Sequence, residues 1–119
     1  TGVSILQSQQ LHGSGIKIGI VDSGIDYEHP ALGGCFGKGC CVAHGHDLVG
    51  DAYDGKNKPV PSERPPRDCM GHGTQVAGII AADSPSIQGV APAAILGAYR
   101  VIGCTGVTSG HLLRKAIVL

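Results

Sequence analysis

The sequence predicts an α/β fold, a parallel sheet with helices on its faces, and three observations carry that reading. Ile16-Lys17-Ile18-Gly19-Ile20-Val21 is apolar, β-branched and bounded by Gly15 and Ser23-Gly24, the signature of a buried parallel strand rather than an alternating surface one. The candidate elements follow the order helix, strand, strand, helix, strand, helix. Twenty glycines, far above the usual fraction of about 7%, show no period and fall at the ends of apolar segments, where tight turns and close backbone packing belong.

Taken in order, Ser4–His12 reads as a short helix, with Ser4 as its cap and Gly13 as its end. Asp22 follows the first strand directly, at the carboxyl end where chemistry gathers in open α/β sheets. Tyr27–Gly34 leads into a turn-rich loop, in which a bridge from Cys35 to Cys40 or Cys41 would close a small ring. Val42–Val49 contains a second strand. Residues 51–68 hold Pro59, Pro61, Pro65 and Pro66, and read as an exposed excursion between core elements.

A helix is expected to open at Gly71-His72-Gly73-Thr74. The two glycines clear space around the imidazole, and Thr74 helps cap the start. Val76, Ala77, Ile79, Ile80 and Ala81 make this helix apolar almost all round, as in one buried on every side. Asp83-Ser84-Pro85 stops it, and Gly89–Ala94 turns into a third strand over Ile95–Ile102. Thr105–Gly110 is a loop. Ser109 caps a final helix whose apolar residues include Leu112, Leu113, Ala116 and Ile117. That pattern runs to Leu119 without a capping glycine or polar tail, so the chain reads as cut, with too few strands for a comfortable closed core.

Composition narrows the function. Nine Lys+Arg balance nine Asp+Glu, the basic residues are scattered, and the aromatics are only Tyr27, Phe36, Tyr53 and Tyr99. Neither an anionic partner nor a stacking platform is favoured, so no nucleic acid is expected. No apolar run approaches 18 residues, so no membrane span is expected either. The glycines make no phosphate-binding pattern, and no nucleotide cofactor is anticipated. His44, His46 and Asp47 lie close together, but no CxxC or HExxH spacing accompanies them, and no metal site is expected. Five cysteines point to an oxidising compartment and leave at least one thiol without a partner in this chain.

The chemistry centres on Asp22 and His72. A carboxylate bonded to one imidazole nitrogen fixes the tautomer and leaves the other nitrogen as a general base. The flanking residues carry more. Val21-Asp22-Ser23-Gly24-Ile25-Asp26 with His29-Pro30, then Gly71-His72-Gly73-Thr74 with Val76-Ala77-Gly78, then Gly89-Val90-Ala91-Pro92, closely resemble the subtilisin-like serine peptidases. Asp26-Tyr27, His29–Gly37, Asp47–Gly55 and Ala98-Tyr99-Arg100-Val101 look more specifically like secreted fungal members of the minor-extracellular-protease type.

The resemblance implies the N-terminal part, residues 1–119, of a three-layer subtilisin-like catalytic domain. It makes Asp22 the triad acid and His72 the base, with a secreted enzyme acting on peptide or protein substrates. Thr105, Gly106 and Val107, with Thr108, look like the edge strand that pairs with a bound peptide. The nucleophilic serine and the oxyanion-binding asparagine lie downstream in the family, so this chain alone is expected to be inactive and to need the remaining part of the domain. Gln75 replaces a usual second histidine, with structural consequences only. Ala31 and the short Asp83–Gln88 loop argue against the family's calcium site. Cys41 looks supernumerary, and Cys69 and Cys104 are candidates to pair. The competing expectation is a non-catalytic binding protein derived from a peptidase, with exposed apolar surface as its partner site.

Overall fold

The computed structural model describes residues 1–119. Helix α1 (Val3–Ser8) precedes strand β1 (Lys17–Asp22), a 3-10 turn at Pro30–Leu32 and strand β2 (Val42–Asp47). Helix α2 (His72–Ala81), strand β3 (Ile95–Arg100) and helix α3 (Gly110–Ile117) complete the chain. The sheet has the order β1-β3-β2, with both pairings parallel. Its register sets Asp22 opposite Arg100, and Arg100 opposite Asp47, so three charged residues form one row across the carboxyl edge.

Alternation along the strands separates two apolar clusters, one on each face of the sheet. Ile20, Leu96, Ala98 and Val42 pack with Ala77 and Ala81 of α2, together with Ile25 and Leu32. Leu48, Val49, Tyr53 and Val101 pack with Leu112 and Ala116 of α3, flanked by Val21 and Tyr99. The architecture is therefore the expected α/β arrangement in three layers, helix, parallel sheet and helix, in incomplete form.

Several local expectations are corrected. Helix α1 ends at Ser8, not at Gly13. Gln10 adopts φ 62, Gln10 N–H donates to Gln7 C=O and Leu11 N–H to Leu6 C=O. That pairing is a Schellman ending with glutamine in the left-handed position usually held by glycine. Ser4 caps nothing, since the N-cap is Gly2. Helix α2 is not buried all round: Gly73, Ala77 and Ala81 face inward, while Ile79 is 69% exposed. The excursion 51–68 is not wholly exposed either, because Tyr53 and Pro66 are buried and Ser62 N–H bonds Asp47 C=O. Thr105–Thr108 is no strand. Gly106 turns at φ 85 with its N–H on Gly103 C=O, and Thr105 Oγ1 donates to Tyr53 C=O, 3.0 Å away.

Disulfides join Cys35 to Cys40 and Cys69 to Cys104, leaving Cys41 free. Burial, and then the nearby Asp83 carboxylate, push the Cys41 thiol above its ordinary value, which disfavours the reactive thiolate. The separations of 5 and 35 residues predict unequal stabilisation, since the longer loop loses more chain entropy on cross-linking. In urea unfolding of the intact protein, Cys104→Ser should cost about 3–4 kcal/mol and Cys40→Ser about 2 kcal/mol. Equal losses would contradict that assignment.

Candidate functional site

The site lies at the carboxyl edge of the sheet, where β1 ends and α2 begins. Asp22 is the last residue of β1 and His72 the first of α2. The structure brings them together, with His72 Nδ1 2.7 Å from Asp22 Oδ2. An ionised carboxylate only accepts, so with Asp22 ionised and the imidazole neutral, Nδ1 carries the proton and Nε2 the free lone pair. The Asp22 side chain is 13% exposed and that of His72 67%. A shielded acid thus holds a ring whose far nitrogen is open to an incoming group.

Sequence reasoning missed the network behind this pair. Ser23, only 1% exposed, donates from Oγ to Asp68 Oδ1 at 2.9 Å and accepts from Gly73 N–H at 2.9 Å. Asp68 Oδ1 also accepts from the N–H groups of Met70 (2.8 Å) and Gly71 (2.9 Å). Asp68 Oδ2 accepts from Thr74 N–H at 3.0 Å and from the Thr74 hydroxyl. Gly71, the N-cap of α2, supplies no side chain, so Asp68 satisfies the exposed amides that Thr74 was expected to serve. Thr74 Oγ1 instead accepts from Asp26 N–H at 2.9 Å. Burial raises the Asp68 pKa, but bonds from Gly71 N–H, Thr74, Met70 N–H and Ser23 outweigh it and hold the carboxyl below its usual range. The available signal was an acidic residue just ahead of a glycine-started helix.

A second cluster was also missed. Arg100, 2% exposed, places Nη1 2.8 Å from Asp47 Oδ2 and 2.6 Å from Asp51 Oδ1. Its Nη2 lies 3.1 Å from Cys69 Sγ and 3.5 Å from Cys104 Sγ. Asp47 is thereby committed to Arg100, and the grouping with His44 and His46 provides no complete ligand set. Asp51, Cys69 and Cys104 converge within 4.8 Å, but the sulfurs are bonded to each other and Asp51 pairs with Arg100, so this donor set does not fit a cation.

Thr105, Gly106 and Val107 lie beside the segment that launches α2. The Cys69–Cys104 bridge ties the two together, and a Cβ at Gly106 would sit 3.0 Å from the Met70 methyl. The loop thus lies against Cys69 and Met70, ahead of His72, and forms a turn rather than a strand.

Residues 13–119 match the model of the Subtilase family. The chain belongs to the subtilase family. It is 45% identical over 94 residues to the minor extracellular protease Vpr of Bacillus subtilis, covering 79% of this chain and 11% of that protein. It is 38% identical over 113 residues to subtilisin E of Bacillus subtilis, covering 88% of this chain and 25% of that protein. Subtilisin Savinase of Lederbergia lenta is 37% identical over 112 residues, with 88% and 34% covered. The likeness to Vpr agrees with the minor-extracellular-protease type, although none of these relatives is fungal. The chain spans between 11% and 34% of the length of these curated relatives.

Proposed function

We propose that this chain is the Asp–His part of the catalytic domain of a secreted serine endopeptidase. The observation that carries the reading is the 2.7 Å bond between Asp22 and His72 Nδ1, on an imidazole whose opposite nitrogen is open. In this reading a serine supplied by the remaining part of the domain approaches Nε2. His72 takes the hydroxyl proton as Oγ attacks the peptide carbonyl carbon. It returns that proton to the leaving amine as the C–N bond breaks. Water then releases the acyl group by the same proton path. Asp22 stays ionised throughout and stabilises the imidazolium.

Thr105, Gly106 and Val107 are assigned to the substrate side, becoming extended when a peptide supplies the missing strand partner. The position of Gly106 against Met70, two residues before His72, supports this. The remaining part of the domain is assigned to the outer face of α2. There a groove of about 700 Å³ is lined by Val3, Ile79, Ile87 and Val90. The name of the Vpr relative and the two disulfides support an extracellular location. No helix is long and apolar enough to cross a membrane.

Labelling with a fluorophosphonate probe tests the reading. The intact protein should be labelled on one serine outside residues 1–119, with loss of labelling in His72→Ala. A folded intact protein that takes no label would favour the non-catalytic binding alternative.

A further inference from the structure

We infer that Asp68 is a positioning residue for the Asp22–His72 pair: with the Ser23 hydroxyl, its carboxylate ties the start of α2 to the end of β1. It thereby sets the distance and angle at which the imidazole meets its acid. The catalytic consequence rests on the peptidase reading, but the hydrogen bond concerned is observable without turnover.

Asp22 and His72 sit on different elements, 50 residues apart in sequence, so their 2.7 Å contact depends on how β1 and α2 are held together. Apolar packing alone holds them loosely. Near the site the fully buried residues of α2 are Gly73 and then Ala77, with Val76 partly buried beside them, and apolar contact is non-directional. The N-cap of α2 adds no side-chain bond of its own. Hydrogen bonds weaken steeply off axis and so resist rotation as well as separation.

Asp68 supplies them on both sides. On the helix side it accepts from Met70, Gly71 and Thr74. On the strand side it accepts from the hydroxyl of Ser23, the residue following Asp22. Ser23 Oγ in turn accepts from Gly73 N–H, the residue following His72. The immediate neighbours of the acid and of the base are thus bonded to each other, and Asp68 orients the hydroxyl that joins them. A carboxylate serving helix stability alone needs only the amide contacts. The Ser23 leg crosses to the strand, where Ser23 itself is buried.

The test uses Asp68→Ala, Asp68→Asn and Ser23→Ala in the intact protein with ¹⁵N-labelled histidine. NMR reads the His72 tautomer and the solvent exchange of its Nδ1 proton. Asp68→Ala should speed that exchange by about tenfold or more and mix the tautomers, while Asp68→Asn, keeping one acceptor oxygen, restores part of the effect. Peptidase assays should show kcat lowered by about 10- to 100-fold with KM within about twofold. Ser23→Ala leaves the Asp68 amide contacts in place while removing both bonds of the Ser23 hydroxyl, to Asp68 and from Gly73 N–H, and must move the same signals in the same direction, which decides the matter should Asp68→Ala fail to fold. A folded variant with a lower melting temperature but an unchanged His72 tautomer and exchange rate would overturn the inference. Absence of peptidase activity in the unmutated protein, with the NMR effects intact, would instead sink the peptidase reading alone.

Discussion

His72→Ala should lower kcat of the intact protein by at least about 10³-fold while leaving its fold intact. The size follows from two losses made together. Without the imidazole nothing takes the proton from the attacking hydroxyl, and the partner charge that Asp22 stabilises never forms. The side chain is 67% exposed and outside both apolar clusters, so its removal opens no cavity. The thermal midpoint should therefore move little, which separates lost chemistry from lost structure. Single-turnover kinetics with a chromogenic peptide, beside a melting curve, provides the measurement. Turnover within a few-fold of the parent would remove His72 from the base role, and a collapsed melting transition would show that it is structural instead.

What the sequence made legible was whatever has a local signature. The apolar run of β1 placed that strand within one residue of its span, although only Ile20 in it is buried and Lys17 and Gly19 are exposed, so the expected full burial of the strand is not found. Asp22 and His72 stand at element junctions with distinctive glycine-rich flanks, so both were visible. The first helix was overrun because its stop is Gln10 in a left-handed conformation, where the rule looks for glycine. Burial of α2 was overestimated because composition records apolarity, not what covers it; Ile79 has no neighbour layer here. Asp68 and Arg100 escaped notice for another reason. Their partners lie far along the chain, Ser23 by 45 residues and Asp47 by 53, and such pairings leave no periodicity to read.

Gly73→Ala should be damaging on two counts, activity and stability, although alanine is the better helix former. By propensity alone the change would stabilise α2 by up to about 1 kcal/mol. Packing reverses the sign. A Cβ at residue 73 would lie 2.1 Å from the carbonyl oxygen of Gly24, more than 1 Å inside ordinary contact, and 3.2 Å from Ser23 Oγ. That oxygen belongs to backbone and has no rotamer by which to withdraw, so the start of α2 must lift away from the end of β1. Lifting breaks the Gly73 N–H to Ser23 Oγ bond and pulls His72 off Asp22. Misplacement on that scale costs about 100-fold in kcat, and the overpacking itself about 1–3 kcal/mol of stability. Gly78→Ala serves as the comparison, because on the same helix its Cβ meets nothing within 4 Å. It lies on the outer face of α2, away from the Asp22–His72 pair, so it should leave the His72 tautomer and the exchange of its Nδ1 proton unchanged. Paired NMR measurements of that proton on the two variants decide the point, since equal behaviour at residues 73 and 78 would mean that close approach of the backbones is not what seats His72 on its acid.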